Sequence, residues 1–372
     1  MKTLLYILQK EFIQILRDKR MLGIILIIPV MQMLILVYAA NFDVKNADLL
    51  IIDHDGSQSS RTLINTFSGS PFFDIMGTTY SEEEADALLK RNKVDIILKI
   101  PNGFEADLYR GSKANLQLIS NAINGSAAEI TAGYAQNVVF DFNRNMIKKV
   151  LGVAQIENRG TIKTQVRFWY NDLLDYKHYM APGILVILIT LIGMFLSGMN
   201  LVKEKEIGTT EQLNVTPIKK HQLIAGKLIP FWIIGLFDLA FGLFIARMVF
   251  NLPIEGSLFV LFSYAALYLV GILAGGLLIS TLADTQQQVL FIGYFIMMIF
   301  VLMGGIFTPV QSMPRWAQIV DLFNPVCYFM EVTRMVLLKG SGFKDILPHI
   351  TFSAIFGASM LTFAILKYRK RA

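Results

Sequence analysis

Six stretches of the 372-residue chain stay apolar for about twenty residues each: 21–40, 181–202, 228–250, 257–282, 288–308 and 347–366. At about 1.5 Å rise per residue, each can cross a hydrocarbon core about 30 Å thick. Backbone polar groups in lipid must be satisfied within their own segment, so each stretch predicts a helix. The pattern changes over 41–177. There Leu49-Leu50-Ile51-Ile52-Asp53, Phe72 to Gly77, Val94 to Ile100 and Leu116 to Ser120 read as strands. Helical patterns alternate with them at Ser57 to Phe67, Ser81 to Arg91, Asn102 to Tyr109 and Ser126 to Val150. Ser81 with Glu84 is a capping-box start, and the alternation predicts a small sheet with helices packed on it. A third pattern precedes the first span. Leu4, Leu8, Phe12, Ile15 and Leu16 recur at helical spacing, with Lys10, Gln14 and Arg17 elsewhere around the wheel, which predicts an amphipathic helix over 1–20 lying on the membrane surface. The fold class that follows is an α-helical integral membrane protein with six transmembrane helices. An α/β domain, 41–177, is inserted between helices 1 and 2, and a five-helix transmembrane region occupies 178–372.

Composition supports a bilayer as solvent: 54% of residues are hydrophobic and 17% charged, against about a quarter charged in soluble chains. Charge then orients the spans. The insert 41–177 holds 17 acidic and 15 basic residues, whereas the rest holds 11 acidic and 19 basic. The basic excess therefore belongs to the apolar part and reads as membrane topology, not nucleic-acid binding. Lys2, Lys10, Arg17, Lys19 and Arg20 precede span 1, and Lys203, Lys205, Lys219, Lys220 and Lys227 lie between spans 2 and 3. Lys367, Arg369, Lys370 and Arg371 follow span 6, while the opposite loops carry only Arg315, Arg334, Lys339 and Lys344. Both termini and the loop 203–222 are thus expected in the cytoplasm, with 41–177 outside it. Tyr38-Ala39-Ala40 looks like a signal-peptide cleavage site, but the apolar run before it is too long for a signal core.

Candidate chemistry is sparse. Cys327 is the only cysteine, which excludes a disulfide framework within the chain. Asp53-His54-Asp55 followed by Gly56 reads as a strand-end turn ahead of a metal site. The four histidines, His54, His178, His221 and His349, are scattered, and neither Gly-Xaa-Ser-Xaa-Gly nor His-Glu-Xaa-Xaa-His occurs. There is no phosphate loop: Gly226-Lys227 is followed by Leu228 and lacks both the upstream glycine and the hydroxyl that would hold Mg²⁺. The chain is expected to bind no cofactor and to be no enzyme, so transport driven by ATP would need a separate ATPase subunit holding ATP and Mg²⁺. Asp238 sits near the middle of span 3, where a charge costs about 3 kcal/mol on insertion scales. It either lines a pathway or locks a helix contact. Gly271, Gly275 and Gly276 form a small-residue pattern that permits close helix approach in span 4.

The loop between spans 2 and 3 reads Lys203-Glu204-Lys205-Glu206-Ile207-Gly208-Thr209-Thr210-Glu211-Gln212-Leu213, then Thr216-Pro217. Gly208 can end one helix, Thr209 or Thr210 can cap the next, and Pro217 can stop it. This pattern resembles the loop after the second span in permease subunits of ABC exporters of the second type. Between spans 5 and 6, Phe307-Thr308-Pro309, Met313-Pro314-Arg315-Trp316, Asn324-Pro325-Val326-Cys327-Tyr328-Phe329, Glu331 and Arg334 look like that family's re-entrant outer hairpin, here 309–338. Phe168-Trp169-Tyr170-Asn171 before Ala181-Pro182-Gly183 is similar to the return into the second span in its drug-efflux branch, although Asp172 stands where that branch has proline.

The resemblance implies an ATPase-coupling loop carried by Glu204, Glu206, Gly208, Thr209, Glu211, Gln212 and Pro217. It also implies an outer gate carried by Pro314, Trp316, Asn324, Pro325, Glu331 and Arg334. The implied protein is the permease of a bacterial inner-membrane exporter of hydrophobic or amphipathic compounds. Its partners would be an ABC ATPase, a second permease copy (identical or paralogous), the lipid bilayer and, in tripartite efflux, a periplasmic adaptor. The competing reading is a non-transporting ABC partner that passes ATPase motion to an extracytoplasmic protein. Such force transmitters generally have four spans. An ion-coupled carrier would want several intramembrane carboxylates, and only Asp238 is present.

Overall fold

A computed structural model describes residues 2–39, 46–110, 113–150, 169–170, 175–209 and 218–367. The chain divides into two compact units, 42–167 and the remainder.

The smaller unit is built on a four-stranded sheet of β1 (Ala47–Asp53), β2 (Phe73–Thr79), β3 (Ile96–Ile100) and β4 (Gln117–Ser120) in the order β2-β1-β3-β4. β1 runs parallel to β2 and β3, and β4 is antiparallel to β3. The unbroken apolar run in β1 follows from cover on both faces. Leu49 and Ile51 pack with Leu63, Phe67 and Phe142, while Leu50 and Ile52 pack with Ala85 on the other side. Those partners belong to α3 (Gln58–Ser68), α4 (Glu82–Lys90) and α6 (Gly125–Val150); α5 (Phe104–Arg110) completes the unit. Asp53 and Asp55 are occupied at the end of β1. Asp53 Oδ1 accepts from the amides of Asp55 and Gly56, both at 3.0 Å, and Asp55 accepts from the amides of Gly103 and Glu105. Gly56 has φ +58°, a left-handed turn position, and no cluster of three metal-ligating side chains occurs among the described residues.

The larger unit opens with α1 (Lys2–Arg17) and α2 (Lys19–Ala39), divided at Asp18. It continues with α7 (Tyr176–Ile207), α8 (Lys220–Phe250), α9 (Leu258–Leu282), α10 (Gln286–Met303), α11 (Arg315–Asp321), α12 (Pro325–Lys339) and α13 (Leu347–Lys367). Six of these, α2, α7, α8, α9, α10 and α13, are long and apolar enough to cross a membrane. α7 is the most buried and forms the axis of the bundle. The fifth apolar stretch, expected to stay helical to 308, ends as a helix at Met303. Gly304 and Gly305 follow, and Gly305 takes φ +79°, which no continuing helix allows. The glycine pattern of α9 also resolves differently from its simplest reading. Gly271 faces Phe356 and Gly357 of α13 and Gly276 faces Ser197 of α7, whereas Gly275 borders open space.

Candidate functional site

The last turns of α7 hold its neighbours together. Consecutive helical side chains are about 100° apart, so Lys203, Glu204, Lys205 and Glu206 fan around the axis. Each meets a different part of the unit. Lys203 Nζ reaches Asp18 Oδ2 at the α1–α2 junction, 2.6 Å away. Glu204 turns to α1 and α8. Lys205 Nζ donates to the carbonyl oxygens of Ser280 (2.8 Å) and Ala283 (3.1 Å), at the end of α9. Glu206 accepts from the backbone amide of Gln286 at 2.8 Å and from its side-chain amide, at the start of α10. Gly208 ends α7 with φ +80°, donating its N–H to the Lys205 carbonyl.

Glu204 belongs to a buried charge network. Lys227 Nζ lies 2.6 Å from Glu204 Oε2, 3.5 Å from Glu11 Oε1 and 3.1 Å from Asn200 Oδ1. Asn200 Nδ2 donates to Glu11 Oε2 at 3.3 Å. Lys10 binds both carboxylates, at 2.9 Å to Glu11 and 2.5 Å to Glu204. Two ammoniums thus meet two carboxylates, and Glu11, Asn200, Glu204 and Lys227 are each no more than 3% exposed. Burial opposes the charge on Lys10, but its hydrogen bonds to Glu204 and Glu11 prevail and raise its pKa above the ordinary lysine value. α1 can deliver Glu11 because Ile7, Glu11 and Ile15, spaced by four, form its inward face. Gly226 makes the approach possible: a Cβ there would come within 2.5 Å of Ile7 Cγ2.

Of the residues expected to couple to an ATPase, Glu204 is therefore occupied inside the permease. Glu206 and Gly208 are exposed, and Thr209 is half-buried, its Oγ1 donating to the Glu204 carbonyl at 3.3 Å. Glu211, Gln212 and Pro217, and the short helix expected around them, lie outside the described residues.

At the other end of α7 stands the hairpin. Tyr179 and Glu204 are 25 residues apart on one helix, about 37 Å along its axis. Val310–Ser312 forms a single 3-10 turn, Pro314 precedes α11, and Asn324 caps α12 with Pro325 at its first turn. Asn324 Oδ1 accepts from the Val326 amide at 3.0 Å, and its Nδ2 donates to Phe300 O (2.8 Å) and Asp321 Oδ1 (2.7 Å). One asparagine thereby joins α10, α11 and α12. Arg334 Nη1 donates to Gly305 O at 3.0 Å, and its guanidinium lies 3.8 Å over the Tyr179 ring. Glu331 Oε2 pairs with His349 Nε2 at 3.1 Å. Trp316 is 67% exposed and touches none of these groups through a hydrogen bond; Phe323 and Ile319 are exposed beside it.

Asp238 stands apart from both ends. It is wholly buried, and neither carboxylate oxygen has a hydrogen-bond partner among the described residues. It shares a helix face with Gly235 and Gly242, which abut Leu269 of α9 and Leu185 of α7. Arg247 donates to Leu252 O at 3.0 Å.

Several members of these clusters carry no motif. Nothing in the sequence assigns these roles to Glu11, Asn200, Lys227, Gln286, Tyr179 or Gly305. The readable signal was a polar side chain on an otherwise apolar face: Glu11 four residues from both Ile7 and Ile15, and Asn200 and Lys227 at the rims of apolar stretches.

Five spanning helices around a central sixth, crosslinked by charges at one end and carrying a short-helix hairpin at the other, define a multi-pass membrane protein. The chain belongs to the ABC-2 family transporter proteins, whose family model matches residues 19–366. It is 29% identical over 358 residues to the probable multidrug ABC transporter permease YbhR of Escherichia coli strain K12, covering 95% of each chain. It is 27% identical to the inner membrane transport permease YhhJ of the same strain, over 97% of this chain and 95% of that one. The probable multidrug ABC transporter permease YbhS, also from K12, is 26% identical, again over 97% and 95%. The chain is thus an ABC transporter permease.

Proposed function

We propose that this permease exports hydrophobic or amphipathic compounds from the cytoplasm or inner leaflet, driven by ATP that a separate ABC ATPase hydrolyses. The carrying observation is the fan of Lys203, Glu204, Lys205 and Glu206, which ties four parts of the bundle to the helix that leads into loop 203–222. A push on that loop reaches α1, α8, α9 and α10 together. Two permease copies, identical or paralogous, pair with two ATPases, and tripartite efflux adds a periplasmic adaptor. The basic flanks favour a bacterial inner membrane with both termini cytoplasmic and the α/β unit of 42–167 outside, inserted between the first two spans. The relatives described as multidrug permeases support a drug-like or lipid-like cargo. The hairpin 309–338 is the outer gate.

The test is reconstitution with the partner ATPase in vesicles, measuring ATP hydrolysis and export of a fluorescent amphiphile. Glu206→Ala, Gly208→Val and Glu211→Ala should let hydrolysis proceed while export falls at least tenfold, at unchanged expression. Normal coupling in all three would refute the role of the loop. The second reading, a force transmitter, rests on the presence of the 42–167 unit; it predicts no export of any amphiphile by a complex that hydrolyses ATP.

A further inference from the structure

α8, α9 and α13 leave between them a groove of about 670 Å³. Ile224, Leu228, Leu273, Leu361 and Ile365 form much of its wall. Trp232 also lines it, and the indole N–H is already spent on the Ala266 carbonyl at 2.8 Å, so that residue brings no free donor to the groove. The one ionisable lining residue is His221, at the start of α8. From His221 to Trp232 the groove follows eleven residues of helix, about 16 Å. That is about half of a hydrocarbon core of about 30 Å, the depth of one leaflet.

The charges gather at the His221 end. Lys219 and Lys220 begin α8, and Lys367 ends α13 two residues beyond Ile365. Lys219 and Lys220 are exposed, and among the described residues no carboxylate pairs with any of these three lysines. The first-turn amides of α8 add a partial positive charge at the same place. An apolar slot about half a hydrocarbon core long, with cations at one end that no described carboxylate pairs, is complementary to an anion that carries a long apolar chain.

We propose that this groove holds one acyl chain of an anionic phospholipid, whose phosphate rests against Lys219, Lys220 and His221. The lipid is a resident of the permease, not its cargo. It wedges between α8 and α13, which touch each other lightly and both pack on α9, and so completes the wall of the bundle on that side.

The test uses the full chain reconstituted in vesicles of equal phosphatidylcholine and phosphatidylglycerol, extracted mildly and weighed by native mass spectrometry. The wild type should keep phosphatidylglycerol in preference to phosphatidylcholine. Lys219→Ser with Lys220→Ser should cut that preference by about fivefold per lysine. Ala225→Trp, which fills the groove from a lining position, should release the lipid whatever its headgroup. Equal retention of the two lipids by the wild type would overturn the proposal, as would unchanged preference in the surface double variant. Should Ala225→Trp fail to fold, the double variant, which alters only exposed side chains, decides alone. Loss of the retained lipid during ATP turnover with the partner ATPase would make it cargo and would also overturn the proposal. The retention and preference measurements are independent of whether loop 203–222 couples hydrolysis to export.

Discussion

The two ends of α7 are held by opposite chemistries. At the Glu204 end, ionised side chains pair with one another, and three of them, Glu11, Glu204 and Lys227, are no more than 3% exposed. At the Tyr179 end, the ties run largely from side chains to backbone carbonyls: Arg334 to Gly305 and Asn324 to Phe300. A carbonyl tie breaks with the loss of about 1 kcal/mol and can re-form with water. A buried ion pair that loses one member strands a charge in a poor solvent and costs about 3–5 kcal/mol. The ties at the Glu204 end are therefore the costlier ones to break, and those at the Tyr179 end the cheaper.

The sharpest way to break this contrast is Lys227→Met, which leaves Glu204 and Glu11 facing each other with only Lys10. Thermal unfolding of the purified permease should show a loss of about 3–5 kcal/mol. Lys227→Met combined with Glu204→Gln should recover much of it, because neither charge is then stranded. If the double variant is no more stable than the single one, the network is not acting as a unit. Next comes Gly226→Val, which thrusts methyl groups into Ile7 and should cost about 1–3 kcal/mol; adding Ile7→Ala should relieve it. At the hairpin end, Asn324→Ala should cost about 1–2 kcal/mol and speed proteolysis between α11 and α12 without disturbing the Glu204 end. Arg334→Lys keeps the charge but loses the planar stack on Tyr179, a change of about 0.5–1 kcal/mol. Trp316→Ala should leave stability within about 0.5 kcal/mol, so any large fall in export by that variant would come from the surface it presents.

How far these features can be read in the chain depends on whether neighbours in sequence determine them. The six spans follow from length and hydropathy alone, since lipid leaves the backbone no alternative. β1 is legible because an unbroken Leu49 to Ile52 run needs cover on both faces. The end of α10 is less so: 304–308 is apolar enough to continue, but Gly305 turns to φ +79°, and its carbonyl accepts from residues far away in the chain, Arg334 at 3.0 Å and Tyr179 at 3.4 Å. The charge network fails for the same reason. Glu11 and Glu204 are 193 positions apart, and each reads locally as an ordinary charge near a membrane face. What a single sequence does show is the anomaly that permits the network, a carboxylate in the middle of α1's inward stripe.

The fan at the end of α7 also restricts how that helix moves. Turning it by one residue would carry Lys203 toward the partners of Glu204 and bring like charges together, so every tie would be mismatched at once. Sliding it by a turn would do the same. Tilting it about the fan leaves all four ties in register and magnifies a small displacement at Gly208 over the roughly 37 Å to Tyr179. α7 is thus keyed like a shaft in a slot: it can work as a lever, but not as a screw.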